Sequence, residues 1–216
     1  MKRTLLLASL ILLAGGCHLE KFQKTSGSGK MKLEKRTVPA FTAVEISGAY
    51  DVEIVAQKDQ KLEVEGDENL LSLIITEVKN GVLSVRNEKG FDTEHKLRLR
   101  ISLPTLDSIS TSGANDIVAS NVKSDEFSIN ASGAGNMQVS GEAESLQVEI
   151  SGAGEVDAKD LRARKVTISS SGSAQADVYA SEELRANVSG AGNVTYYGDP
   201  KNVSEDTSGS GSISKK

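Results

Sequence analysis

The chain has no tryptophan, three prolines, two histidines and one cysteine among 216 residues, and only 4% of it is aromatic. Each scarcity excludes something. One cysteine permits no intramolecular disulfide, so stability must come from packing. With two histidines and one cysteine, a zinc site of Cys and His ligands cannot be assembled. Few prolines leave turns to Gly, Ser, Asn and Asp. Few aromatics leave an aliphatic core. What is present is 20 glycines, abundant serine, 38% hydrophobic residues and 25% charged residues, a composition that fits a globular chain rather than a disordered one.

The cysteine lies in an export signal. Lys2 and Arg3 give a positive start, and Thr4 to Leu13 is a ten-residue, mostly apolar run, too short for a permanent transmembrane helix. Ala14-Gly15-Gly16 then supplies small residues before Cys17. This resembles the lipobox of bacterial lipoproteins, although Ala14 stands where leucine is usual. The resemblance implies a signal peptide over residues 1–16, a diacylglyceryl group on Cys17, and attachment to an envelope membrane, with the outer membrane expected. Acyl carbons contribute about 0.8 kcal/mol per buried CH₂, so two or more chains anchor stably. The alternative is an ordinary signal peptide with an incidental cysteine. Residues 17–30, with Thr25-Ser26-Gly27-Ser28-Gly29, read as a flexible tether.

Removing Lys2 and Arg3 with the leader takes the formal charge from −5 to −7. That balance argues against nucleic acid as a partner, because phosphate binding needs a basic face. Lys96-Leu97-Arg98-Leu99-Arg100 reads as a strand with one solvated face.

The main signal is a repeat. Ser-Gly pairs place glycine at Gly48, Gly113, Gly133, Gly152, Gly172, Gly190 and Gly209, and the last five steps are 20, 19, 20, 18 and 19 residues. Two residues after that glycine stand Tyr50, Asn115, Gly135, Gly154, Ala174, Gly192 and Gly211. Even offsets carry aliphatic or tiny residues, as in Val44, Ile109, Ile129, Val148 and Ile168 at minus four. Odd offsets are polar or small, as in Asp51, Asp116, Asn136, Glu155, Gln175 and Asn193 at plus three. Period-two alternation marks strands with one buried face. A coil of about 19 residues buries that face only by stacking on its neighbours. The reading is all-β: a parallel β-helix over residues 106–216, with the small-residue element at each corner. The general bias of parallel crossovers makes right-handed coiling the default expectation. Glu205, Asp206, Lys215 and Lys216 in the degenerate last copy read as a cap that discourages end-to-end pairing.

Residues 31–105 form a less regular β region. They hold one copy of the repeat around Gly48, a hairpin signal at Asn80-Gly81, and a turn at Gly66-Asp67-Glu68-Asn69 leading to a helical turn at Leu70-Leu71. Local antiparallel pairing is expected here, with a boundary near Pro104. Whether the region is a separate domain is open at this stage.

Val38-Pro39-Ala40-Phe41 leading into Val44-Glu45-Ile46-Ser47-Gly48, then Asn80-Gly81-Val82-Leu83, then the Ser-Gly-Ala-Gly units, resembles the bacterial putative auto-transporter adhesin, head GIN domain family over residues 38–213. The resemblance implies a β-helical fold, export as a lipoprotein and a role in adhesion at the cell envelope. It carries no catalytic or binding residues across.

His18 lies in the tether, and His95 in Asp92-Thr93-Glu94-His95 reads as a solvated loop residue. Asp116, Glu155, Asp157 and Asp177 fall near the bends, but no aspartate repeats at one ligand position, as a calcium ladder requires. Asp116 with Asp157 is a conceivable acid pair for a glycosidase, no better than other surface pairs. Of the tyrosines, Tyr50, Tyr179, Tyr196 and Tyr197, parity points Tyr196 inward. The expectation is a non-enzymatic envelope lipoprotein without cofactor or metal. It would present a rigid β-helical face to a glycan or protein. The alternative is a carbohydrate-active β-helix enzyme, a polysaccharide lyase or glycosidase.

Overall fold

The computed structural model describes residues 24–216. The expected export signal, Cys17 and His18 lie outside the described residues. In chain order the strands are β1 (Thr25–Ser26), β2 (Met31–Arg36), β3 (Ala43–Gly48), β4 (Tyr50–Ala56) and β5 (Lys61–Asp67). One 3-10 turn (Leu71–Leu73) precedes β6 (Ile74–Lys79), β7 (Val82–Asn87), β8 (Phe91–Asp92) and β9 (Leu97–Leu103). The regular stack follows as β10 (Ser108–Gly113), β11 (Asp116–Gly133), β12 (Asn136–Gly152), β13 (Glu155–Gly172), β14 (Gln175–Gly190), β15 (Asn193–Tyr197), β16 (Asn202–Gly209) and β17 (Ser212–Lys215).

The fold is a β-solenoid. Strands β11 to β14 each run round a coil and pair in parallel with the next, with register shifts where the wall bends. Equivalent residues of the repeat meet in register. Gly48 lies beside Gly113, then Gly133, Gly152, Gly172, Gly190 and Gly209 follow in one column. Inside runs an aliphatic column, Val44, Ile109, Ile129, Val148 and Ile168, all nearly inaccessible to water. Burying each such side chain is worth roughly 1.5–3 kcal/mol, and the stack is what lets a single coil bury them.

The column glycines have φ between +97° and +149°. They are not sealed in a core corner, as a tight interior bend would require, because Gly113 and Gly133 are exposed. Their constraint comes from the coil before. A Cβ on Gly133 would overlap the carbonyl oxygen of Gly113. The Ala134 N–H donates to that same oxygen at 3.0 Å. The coils therefore approach backbone to backbone at each corner.

Residues 31–105 close the amino-terminal end. β3 and β4 form a complete copy of the repeat, in register with β10 and β11. Below them β7 and β9 continue the two walls in parallel. Antiparallel strands then end the stack: β6 on β7, β5 on β9, and β2 on β5. The β6–β7 hairpin turns at Asn80 (φ 51°) and Gly81 (φ 77°), the left-handed pair that Asn-Gly suits. No break falls at Pro104. One buried cluster runs from Phe41 to Tyr196, and the Asp107 N–H reaches back to the Thr42 carbonyl at 2.8 Å.

The expected tether is in part laid down on the protein. β1 pairs in parallel with β8, and the Gly27 N–H donates to the Asp92 carbonyl at 2.8 Å. The Ser28 N–H donates to Asn69 Oδ1 at 2.8 Å and the Gly29 N–H to Asp67 Oδ1 at 2.6 Å. Glycine here serves fit rather than freedom: a Cβ on Gly27 would overlap the Asp67 carboxylate.

Candidate functional site

One wall of the solenoid carries two outward columns. The first is all serine: Ser47, Ser112, Ser132, Ser151, Ser171, Ser189 and Ser208 stand in register on successive coils. Two residues earlier stand Glu45, Ser110, Asn130, Glu149, Ser169, Asn187 and Asp206. Alternation brings both sets to one face, and parallel pairing spaces them about 4.8 Å apart along the axis.

Several of the hydroxyls have already spent their protons. Ser112 Oγ donates to Ser47 Oγ at 2.9 Å, Ser132 Oγ to the Thr111 carbonyl at 3.2 Å, and Ser171 Oγ to the Ile150 carbonyl at 3.4 Å. The shallow groove over these columns has a volume of about 470 Å³ and includes Glu45 and Glu149 but no Lys or Arg. Such a face is rich in acceptors and weakly negative. It suits a partner rich in donors and repels a polyanion.

A second, wider groove of about 1350 Å³ lies on the next side of the coil. Arg162 sits over the Tyr179 ring, 4.1 Å from its centroid. Arg164 spans two coils, meeting Glu144 at 2.7 and 2.9 Å and Glu182 at 2.7 and 2.9 Å. The hydrogen bonds to Glu182 and then Glu144 raise the guanidinium's pKa. These pairs are exposed, so water screens them and their contribution is small.

The acids near the bends do not converge. Lys96 bridges Asp51 at 2.9 Å and Asp116 at 3.2 Å, and Asn136 Nδ2 donates to Asp116 at 3.0 Å. The lysine hydrogen bond, with Asn136 second among the favourable contacts, holds the Asp116 carboxyl below the usual range against the opposing effect of desolvation. Asp157 is paired with Lys159. By register Asp116 lies beside Asn136 and Asn136 beside Glu155, so Asp157 is two coils away and in another column. Among the described residues no three His, Cys, Asp or Glu side chains group as metal ligands. Tyr196 points inward, 7% exposed, while Tyr179 and Tyr197 are neighbours on adjacent coils.

The model of the family described as "Putative auto-transporter adhesin, head GIN domain" matches residues 40–200, the solenoid from its first complete coil nearly to its last. The chain belongs to that family. This head GIN domain member is also similar to solved structures. A crystal structure described as a putative adhesin from Bacteroides fragilis is 25% identical with a TM-score of 0.73, covering 88% of this chain and 99% of that one. A putative lipid binding protein from Parabacteroides distasonis is 24% identical, with a TM-score of 0.55 over 90% of this chain and 100% of that one. A putative adhesin from Parabacteroides merdae is 22% identical, also at 0.55, over 89% and 99%. The last two share the fold. No curated protein matches this chain.

Two features of this head GIN domain protein escape the repeat. Asn115 is buried at a position where later coils have mainly glycine. Its Oδ1 accepts the Tyr50 N–H at 3.0 Å, and its Nδ2 donates to the Ser112 carbonyl at 2.8 Å and Thr111 Oγ1 at 2.9 Å. Asp67 is fully buried at the amino-terminal end, outside any apparent repeat. It accepts from Thr93 Oγ1 and the Gly29 N–H, and His95 Nδ1 lies 3.7 Å away. His95 is an exposed loop residue, as expected, and it stands beside this buried carboxylate. The Thr93 hydrogen bond first, then the Gly29 N–H and the nearby His95, hold the Asp67 carboxyl below its ordinary range, against desolvation. The only sequence signal for this latch is the Gly27 and Gly29 pair, which also reads as a linker.

Proposed function

We propose that this protein is a non-enzymatic lipoprotein adhesin of the bacterial cell envelope, anchored through a diacylglyceryl group on Cys17. Its working surface is the serine, amide and carboxylate wall. The observation that carries the reading is the unbroken serine column: seven coils keep one small hydroxyl at one outward position, although solenoid packing asks only that inward positions be apolar. A repeating row of acceptors suits an extended, neutral or amine-bearing glycan, or a protein strand rich in donors. Family membership and the B. fragilis likeness support adhesion. Among the described residues no helix is long and apolar enough to cross a membrane.

Two measurements test this. Labelled palmitate is expected in the wild type and absent from Cys17→Ala; equal labelling sinks the anchor. On a glycan array, Ser132→Lys with Ser151→Lys and Ser171→Lys is expected to lose at least tenfold in binding to whatever neutral glycan the wild type retains. Unchanged binding removes the wall from the mechanism, and turnover of any polysaccharide replaces the adhesin by an enzyme.

A further inference from the structure

β2 is the free edge of one wall, paired with β5 and with no other strand among the described residues. Met31 and Leu33 lie on its outer face, 41% and 45% exposed, and they are two of the four large hydrophobic residues exposed in the described chain. Both directly follow the Asp67 latch, and Met31 stands opposite Asp67 in the β2–β5 register. The chain reaches the latch at Lys24, whose Nζ pairs with Asp92 Oδ1 at 3.1 Å. Between Lys24 and Cys17 stand six residues, 18–23. Even fully extended, that stretch spans only about 24 Å.

A lipid on Cys17 is therefore held within about 24 Å of Lys24, at the amino-terminal end of the stack where β2 lies. We propose that the amino-terminal end is a membrane-facing foot. The latched segment holds β2 at the bilayer surface, where Met31 and Leu33 enter the boundary between headgroups and acyl chains. This rests on the lipoprotein reading above. The anchor makes the contact intramolecular in effect, so two half-exposed side chains suffice where they would not bind a bilayer alone. Charge is not what holds the foot. Lys32 pairs with Glu68 at 3.3 Å and Lys24 with Asp92, and Glu65 and Glu63 stand opposite Leu33 and Lys35, so the surface around the two apolar side chains carries both signs. The contact is apolar and insensitive to salt.

The absence of tryptophan makes the test direct, because one introduced tryptophan is the only one in the chain. Full-length acylated Leu33→Trp and Val203→Trp are each reconstituted on phosphatidylethanolamine and phosphatidylglycerol vesicles, with and without brominated acyl chains. Val203 is 44% exposed on β16, at the other end of the solenoid. Leu33→Trp is expected to be quenched at least twofold by brominated lipid and shifted to the blue, unchanged at 0.5 M salt. Val203→Trp is expected to be unquenched. Met31→Trp repeats the test at a second position should Leu33→Trp fold poorly. Adding Gly27→Val, which drives a side chain into Asp67, is expected to reduce the Leu33→Trp quenching while flotation with vesicles persists. Equal, weak quenching of Leu33→Trp and Val203→Trp in protein that floats overturns the foot and leaves the anchor standing. Protein that neither floats nor carries the lipid mass on its Cys17 peptide overturns both.

Discussion

Residues 106–216 and residues 31–105 line the same two walls and share one core, yet they specify their strands differently. In the stack, each coil repeats a local recipe: an alternating run, Ser-Gly, a second small corner, another alternating run. Each strand finds its partner about 19 residues away. In the amino-terminal region only β3 and β4 follow the recipe. The rest are placed by antiparallel partners, β2 on β5, β5 on β9 and β6 on β7. The ends differ accordingly. The amino-terminal end is folded shut by antiparallel strands, while the carboxy-terminal coil puts Glu205 over Ala186 and Lys215 over Tyr196, charge where the column is otherwise apolar. The lesson is that a repeat solves propagation but not termination, and each end needs its own chemistry.

The contrast can be broken by substitution. The largest effect is expected at the stack's own constraint. Gly133→Val places a side chain against the Gly113 backbone at φ +138° and should cost about 3 kcal/mol or more in a denaturant melt. Gly81→Ala, at the hairpin turn with nothing within 4 Å, should cost only about 1 kcal/mol. Equal losses would mean that coil-to-coil contact is not what selects glycine. Next comes the junction. Asn115→Gly installs the residue later coils prefer, but strips the Tyr50 N–H of its buried acceptor; a loss of about 2 kcal/mol is expected. A neutral result would make the junction just another coil. Third, Glu205→Val combined with Lys215→Ile should give concentration-dependent association in sedimentation, with little change in the melt. A double variant that stays monomeric at all concentrations would deny the charges a capping role.

The smallest effect is local and depends on pH. The folded-state pKa of Asp67 lies below the ordinary carboxylate value of about 3.9, the Thr93 hydrogen bond being the main cause. Its stabilisation is therefore complete above about pH 4 and is lost as the pH falls through the lower folded value. Hydrogen-exchange protection factors at Gly27, Ser28 and Gly29 should fall below pH 4, before those of β11 to β14 respond. Simultaneous exchange would join the latch to the global unfolding unit.

What could be read from the sequence follows the same divide. The Ser-Gly spacing pointed to the solenoid and the inward Tyr196, the Asn80-Gly81 pair to its hairpin, and the turn at Gly66-Asp67-Glu68-Asn69, within a residue, to the helical turn at Leu71. It hid β2, because Met31-Lys32-Leu33-Glu34-Lys35-Arg36 is mostly charged and becomes a strand through Leu62 to Asp67, some thirty residues away. It hid the latch because a glycine chosen to clear Asp67 looks like a glycine chosen for freedom. The serine column and its outward face follow from the odd offset in the repeat, but its spent hydroxyl protons needed the neighbouring coils.

The in-register glycine column bears on how such a protein can change. Every corner meets the one before it through the same backbone contact, so a coil can be inserted or deleted in phase without redesigning its neighbours. From β2 to β17 one wall holds ten strands, a rise of roughly 40 Å. Adding about 19 residues would lengthen it by one strand spacing and add one serine to the row. With the proposed anchor, reach from the membrane and number of surface contacts would then grow together, set by a single integer.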